Sequence, residues 1–264
     1  MDLSTLEGRS FGPKEFRICV EKVHDFVDAT GDDRERWSES APPGFVAAAL
    51  FVVAPDLLEL LGGYSVLHGD QTFSWGGPLM MERDVSVTGT VARVRERGDT
   101  AFVTFALEVI DGDGGLLAAG ESLFLVSKLG PGAAAAGSGP KAVSDTGSPA
   151  PHQESASRAD LVKYASATRD WNPIHWDHEA AVGAGLDGVV VHGLLQAAWA
   201  LRGVSEDSRA QSPVATANFR FKNPLPPATA VDVVIDKSDG LQREVSLTMS
   251  ETVFMTAKLT LTDG

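Results

Sequence analysis

The chain has 264 residues, and its 36 acidic and 22 basic residues give a formal net charge of −14, which argues against nucleic acid as the main partner because phosphate backbones are bound by basic surfaces. Hydrophobic residues make up 43% of the chain, so a packed core is expected, but no run of 18 apolar residues predicts a membrane span. The first twenty residues lack a signal-peptide core and Cys19 is the single cysteine, so we expect a cytoplasmic protein without disulfides.

The first half of the chain predicts two helices followed by strands. Apolar side chains recur at helical spacing over residues 23–30, which indicates one face of a short amphipathic helix. A second helix, predicted from Gly44 to a stop at Pro55, is apolar nearly all round and should therefore be buried. Alternating apolar positions separated by Gly–Asp turns then predict strands over residues 85–95, 100–110 and 116–126.

Residues 130–157 are mostly Gly, Ala, Ser and Pro. Such a composition cannot bury enough apolar surface to order itself, so the segment is predicted to be a flexible linker. It divides the chain into an N-terminal domain, residues 1–129, and a C-terminal domain, residues 158–264.

The second half repeats the pattern of the first half. Residues 161–168 reproduce the apolar spacing of the first helix 138 residues later, and Ser157 is a candidate N-cap for this copy. A second apolar helix is predicted from Gly193 to Leu201. Strands are predicted over residues 230–236, 244–249 and 253–261. The repeat predicts a duplicated α+β fold in which each antiparallel sheet wraps around a buried helix.

The second half also contains residue types suited to water chemistry at a carbonyl compound. Pro173 prevents the preceding helix from continuing, so the chain turns after Asp170 and can bring His175 to face the same pocket. A carboxylate and an imidazole placed together can hold and deprotonate a water at neutral pH. Gly193 begins a buried helix, where a free N–H can stabilise a developing enolate oxygen.

The run from Tyr164 to His175, YASATRDWNPIH, followed by VHG at residues 191–193, resembles the MaoC-like family of (R)-specific enoyl-CoA hydratases and dehydratases, or hydratase 2. The resemblance implies a hot-dog fold. It also implies a catalytic dyad of Asp170 and His175, with Gly193 as the oxyanion donor. Asn172 and His192 are expected to support these groups.

The first half resembles the degenerate N-terminal unit of double-hot-dog members. Asp32 keeps the acidic position, but Trp37 stands where the histidine is expected, and Pro43 lacks the N–H that an oxyanion donor needs. We therefore expect one active site per chain, in the second half. The first half is expected to support the fold and line the acyl pocket.

The sequence thus predicts a hydratase or dehydratase that interconverts trans-2-enoyl and (R)-3-hydroxyacyl thioesters. The thioester carrier is either coenzyme A or acyl carrier protein. No cofactor is expected, and no metal, because the Asp and His residues between 175 and 192 lack a zinc-site spacing. Two alternatives stay open, a non-catalytic acyl-thioester-binding subunit and a hot-dog thioesterase. The chain is expected to act as a monomer or a homodimer.

Overall fold

The computed structural model describes residues 2–128, 153–206 and 208–263. In this part of the chain the α-helices are α1 (Val20–Thr30), α2 (Val46–Leu60), α3 (Arg158–Thr168), α4 (His178–Gly183) and α5 (Gly193–Ser205). Short 3₁₀ helices span Leu3–Leu6, Pro43–Phe45 and Pro173–His175. The strands are β1 (Ser10–Ile18), β2 (Ser40–Ala41), β3 (Tyr64–Trp75), β4 (Leu79–Met80), β5 (Arg83–Arg97), β6 (Thr100–Asp111), β7 (Leu116–Lys128), β8 (Gln153–Glu154), β9 (Val214–Phe221), β10 (Val231–Asp239), β11 (Gln242–Met249) and β12 (Thr252–Leu261).

Ten of the strands form one continuous antiparallel sheet, in the order β1-β5-β6-β7-β3-β9-β12-β11-β10-β8. The first five strands belong to the first half of the chain, and the last five repeat the same arrangement in reverse order. The halves join where residues 70–74 of β3 pair with residues 216–220 of β9. Each half is thus an antiparallel sheet that curves around one long helix, so the predicted α+β double hot dog is confirmed.

The two amphipathic helices confirm the internal repeat. α1 and α3 lie 138 residues apart, pack against each other and bury the predicted apolar faces. The buried residues are Val23, Phe26, Val27 and Thr30 in α1, and Leu161, Tyr164, Ala165 and Thr168 in α3. Both helices end at a residue in the left-handed conformation, Gly31 (φ 68°) and Arg169 (φ 67°). The equivalent chain reversals then place Asp32 and Asp170 at matching positions.

The two apolar helices lie in the core, as predicted from their lack of a polar face. The stretch Pro43–Leu60 is long and apolar enough to pass for a membrane span, but 67% of it is buried inside the fold. The predicted stop at Pro55 is wrong, because α2 continues to Leu60. Pro55 is an exposed residue of this helix, where its ring removes one backbone hydrogen bond without ending the helix.

Most of the predicted linker, residues 130–152, lies outside the described residues. Its last part is ordered, which corrects the predicted boundary at residue 157. Gln153 and Glu154 form β8 and pair with Asp232 and Val231 at the edge of the sheet. Ser157 begins α3. The second half therefore starts about five residues earlier than composition alone indicates.

Strand β1 was not among the predicted elements. Pro13 interrupts its alternating pattern, and the register with β5 shifts between Phe11 and Lys14. A proline cannot donate a ladder hydrogen bond, so it is tolerated here because β1 is an edge strand with a bulge.

Candidate active site

The loop that leaves α3 carries the predicted carboxylate. A capping box fixes the start of the helix, since the Ser157 side chain accepts from the Asp160 N–H and the Asp160 carboxylate accepts from the Ser157 N–H. At the other end, the left-handed Arg169 turns the chain inward. The N–H of Asp170 then donates to the hydroxyl of Thr168 at 3.3 Å. Asp170 is consequently buried, with 7% of its surface exposed.

The next turn places the predicted histidine. The side-chain oxygen of Asn172 accepts from the Ile174 N–H at 3.4 Å, which starts the 3₁₀ helix Pro173–His175. His175 is buried, and its Nδ1 lies 2.8 Å from the carbonyl oxygen of Val190. Because a carbonyl can only accept, this contact assigns the proton to Nδ1 and leaves Nε2 with a free lone pair.

Asp170, His175 and His192 meet at one point. A carboxylate oxygen of Asp170 and one ring nitrogen from each histidine all lie within 4.8 Å of one another. The two imidazole rings are stacked, with centroids 3.7 Å apart. Nε2 of His192 donates to the backbone carbonyl of Asp170 at 3.2 Å. The structure therefore brings the two dyad residues together, and His192 contacts both of them.

Burial shifts the ionisation of these groups in opposite directions. It raises the pKa of Asp170 to about 7, against an N–H bond from Asn172 that favours the carboxylate. It lowers the pKa of His175 to about 4 and places the pKa of His192 well below its usual value. Between these two pKa values the favoured form of the pair has a proton on Asp170 and a neutral His175. A proton donor and a proton acceptor then stand side by side.

Gly193 is the first residue of α5 and lies in the same cavity. The first N–H groups of a helix have no intrahelical partner, and the positive end of the helix dipole adds to their attraction for a developing negative charge. A Cβ at residue 193 would lie 3.0 Å from the tip of the Phe221 ring. Glycine therefore lets this aromatic ring pack directly against the start of the helix.

Asn172 has a second role that spacing could not predict. Its side-chain N–H donates to the carbonyl of Val66 on β3 at 3.2 Å, across 106 residues of sequence. With the bond to Ile174, the Asn172 amide both starts the turn and ties the loop to the first half. Besides its predicted supporting role, Asn172 therefore forms a hydrogen bond that joins the two halves of the chain.

The cavity has a volume of about 190 Å³ and is lined by both halves of the chain. α5 and the loops around it supply Asp170, His175 and Gly193. The first half supplies mainly apolar walls: Phe51, Leu58, Val66, Leu67, Phe124 and Leu125. The first half thus contributes walls to this cavity, and its role in holding an acyl group stays a prediction.

His68 and Gln196 are polar wall residues that were not predicted to belong to the site. His68 lines the cavity between the rings of Phe124 and Phe221. Burial lowers the pKa of His68 to about 4, and its Nε2 has no partner among the described residues. Gln196 on α5 also lines the cavity, and its buried side-chain oxygen is likewise unpaired in the described part of the chain. Each of these two residues is identified as part of the site by a buried polar atom that has no hydrogen-bond partner among the described residues.

The equivalent position in the first half is filled by packing. Trp37, which stands where the second half has His175, is only 1% exposed. The guanidinium of Arg36 covers its ring at 4.6 Å. Pro43 lies where the second half has His192 and starts a 3₁₀ helix. An indole cannot act as a base, and a proline has no backbone N–H to offer.

Asp170, His175 and His192 also form a possible set of three metal ligands. Asp177 and His178, considered with His175 and His192 at the sequence level, are not part of the cluster, and Asp177 instead caps α4. An imidazole binds a metal in its own ring plane at about 2 Å. The His175 and His192 rings are stacked, with planes that differ by 23°. The absence of a metal stays a prediction.

Comparisons with known proteins relate both halves to dehydratases. Residues 139–258 match the MaoC like domain, and residues 5–119 match the FAS1-like dehydratase domain region. A UPF0336 protein of Streptomyces coelicolor is 30% identical over 124 residues, which is 40% of this chain and 83% of that relative. The mitochondrial 3-hydroxyacyl-(acyl-carrier-protein) dehydratase of Arabidopsis thaliana is 46% identical over 39 residues, 15% of this chain and 24% of that protein.

The structure of HtdX from Mycobacterium tuberculosis is similar along almost the whole chain. Its TM-score is 0.74 at 21% identity, with 95% of this chain and 99% of HtdX covered. At this identity the likeness shows a shared fold. The match to the MaoC like domain covers Asp170, His175, α5 and most of the second half of the sheet. The match to the FAS1-like dehydratase domain region covers the degenerate first half. The chain therefore belongs to the MaoC-like dehydratase family, in the double-hot-dog form.

Proposed function

We propose that this protein interconverts trans-2-enoyl and (R)-3-hydroxyacyl thioesters by adding or removing water. The observation that carries the proposal is the convergence of Asp170, His175 and the start of α5 at Gly193 on one cavity. Membership of a dehydratase family supports the reaction class, and the activity named for the Arabidopsis relative supports a thioester substrate. The (R) configuration follows from the resemblance to hydratase 2.

The proposed hydration uses the one-proton state of the dyad. Nε2 of His175 takes a proton from water as the water oxygen attacks C3 of the enoyl thioester. Asp170 gives its proton to C2, and the double bond becomes a single bond. The proton on His175 then passes to the Asp170 carboxylate, which restores the starting state. Dehydration follows the same steps in reverse.

The start of α5 would stabilise the intermediate charge. As water attacks C3, electron density moves onto the thioester oxygen and forms an enolate. An N–H aimed at that oxygen stabilises the enolate more strongly than the neutral thioester. We assign this donor to Gly193, while Asn172 holds the loop and His192 holds the Asp170 backbone.

The proposed substrate carrier is coenzyme A or acyl carrier protein, and no step calls for a redox cofactor or a metal. The proposed assembly is a monomer or a homodimer of such chains. We propose the cytoplasm as the compartment, in agreement with a chain that has one cysteine.

The test is turnover of crotonyl-CoA, followed by enoyl absorbance together with a thiol-detecting dye. The wild-type protein should change the absorbance without releasing thiol. Asp170→Asn and His175→Gln should each lower kcat by about 100-fold or more, because each removes one partner in proton transfer. Asp32→Asn is the matched control, since it makes the same change at the equivalent position of the degenerate half and should leave kcat unchanged.

The outcomes separate the alternatives. Thiol release would identify a thioesterase, whereas tight binding without turnover of any enoyl or 3-hydroxyacyl thioester would identify a binding subunit. Near-normal turnover of either dyad variant, with circular dichroism showing an intact fold, would contradict the assignment of the dyad.

A further inference from the structure

Three arginines lie in a row on the outer face of the sheet. Arg93, Arg95 and Arg97 occupy alternate positions of β5, so their side chains share one face, and all three are exposed. Among the described residues none of them forms an ion pair, whereas Arg17, Arg34, Arg202 and Arg220 all do. On a chain with a net charge of −14, the row is a local concentration of positive charge.

The arginine row is continuous with a wall of the cavity. Arg95 pairs with Phe102 on β6, and Phe102 pairs with Leu125 on β7. Leu125 lines the cavity that holds the dyad. Directly opposed residues of neighbouring strands lie on the same face, and strands are about 4.8 Å apart, so Arg95 lies roughly 10 Å from the cavity wall. A substrate arm that leaves the cavity over Leu125 therefore reaches the arginines.

The arginines rim a shallow groove with a partly apolar floor. Phe102, Thr104 and Leu123 line the groove together with the three arginines, and Glu96 is its acidic member. Guanidinium groups bind phosphate through paired hydrogen bonds and stack on flat aromatic rings. A groove with this combination fits a nucleotide that carries several phosphates.

We propose that this groove binds the adenosine 3′-phosphate 5′-diphosphate end of coenzyme A while the acyl group occupies the cavity. The proposal rests on the proposed function and names its carrier. Alternate positions on a strand are about 6.8 Å apart, so the row spans roughly 14 Å and can meet phosphates on both sides of one adenosine. The arm of an acyl carrier protein bears a single phosphate. A protein carrier would also cover the neighbouring Glu108 and Glu121, which add negative charge to this face.

The test replaces all three arginines by glutamine and compares two crotonyl thioesters, one of coenzyme A and one of pantetheine, which lacks phosphate. The KM for the coenzyme A thioester should rise about tenfold or more, while kcat and the KM for the pantetheine thioester stay unchanged. Added salt should raise the wild-type KM for crotonyl-CoA and have less effect on the variant. The control replaces Arg83, Arg158 and Arg209 by glutamine, which changes the net charge equally and should leave both KM values unchanged.

Calorimetric binding of adenosine 3′,5′-diphosphate gives a readout that does not depend on turnover. The wild-type and control proteins should bind it, and the Arg93/Arg95/Arg97 variant should lose that binding. If binding follows this pattern but no thioester is turned over, the groove is supported and the proposed reaction is not.

Two kinetic results would overturn the proposal. They are an equal KM rise in the control variant and an equal rise for the pantetheine thioester. Reduced solubility with unchanged kinetics would also overturn it, because the arginines would then only protect the partly unpaired edge of β5.

Discussion

At the scale of single residues, Asp170 and His175 acquire their chemistry from burial. In water both side chains would be mainly charged between about pH 4 and 6.5, because these are the ordinary pKa values of a carboxyl group and an imidazole. Inside the cavity the neutral form of each is favoured, which raises the pKa of Asp170 to about 7 and lowers that of His175 to about 4. The protein thus keeps an acid and a base together without forming an ion pair.

This arrangement predicts a bell-shaped pH dependence of kcat/KM. The active form carries one proton on the dyad, so kcat/KM should fall above about pH 7 as Asp170 loses its proton and below about pH 4 as His175 gains one. Both directions of the reaction start from the same protonation state of the pair, so hydration and dehydration should share the profile. Initial rates at low substrate concentration between pH 3.5 and 9 measure it, within the range where the fold is intact. A rate that keeps rising above pH 8 would contradict the assignment of Asp170 as the acid.

At the scale of elements, α3 is the support from which the loop with Asp170 and His175 departs. Its capping box fixes the first turn, and the left-handed Arg169 fixes the direction of the chain into the cavity. The local sequence could predict this much, because helical spacing, a Ser–Asp pair and an Asn-Pro turn each carry a local physical signature. It could not predict β1 or the length of α2, because tertiary context overrides the usual effect of Pro13 and Pro55.

Replacing Ser157 by Ala tests the contribution of the capping box. The change removes an acceptor for the Asp160 N–H at the start of α3, so the free energy of unfolding should fall by about 1 kcal/mol. Because the far end of the helix is held by its buried face, kcat should change little. Urea unfolding measures the first effect, and Ser38→Ala, at an exposed serine outside the helices, is the control. An unchanged midpoint for Ser157→Ala would show that the cap adds no stability.

At the scale of the whole molecule, the two halves share one hydrophobic core and one sheet. Buried residues from Leu3 to Leu259 form a single contiguous cluster. Arg202 on α5 adds a polar link, since it donates to the backbone carbonyls of Thr30 and Gly31 and pairs with Glu154. Contacts of this kind, like the bond from Asn172 to Val66, depend on how distant strands and helices are paired. For that reason the dyad could be predicted from the sequence, whereas the cavity wall at His68 could not.

The shared core predicts that both halves unfold together. Phe105→Ala, in the first half and fully buried, should lower the free energy of unfolding by about 3–5 kcal/mol. Enzyme activity, which depends on the second half, should then be lost at the same lowered urea concentration as the circular dichroism signal. Leu107→Ala, at another buried position of β6, should shift both readouts in the same way. Activity that survives after the first half has unfolded would show two independent domains.

The short pairing of β3 with β9 also affects how far the cavity opens. Ladder pairing ends at Asp70 and Arg220, and residues 66–69 and 221–225, just beyond, line the cavity. Each additional hydrogen-bonded pair between β3 and β9 would narrow the gap between the two strands at the cavity, and each pair removed would widen that gap. Relatives that process acyl chains of different width could therefore differ in where the pairing of β3 with β9 ends, while keeping the same acid and base.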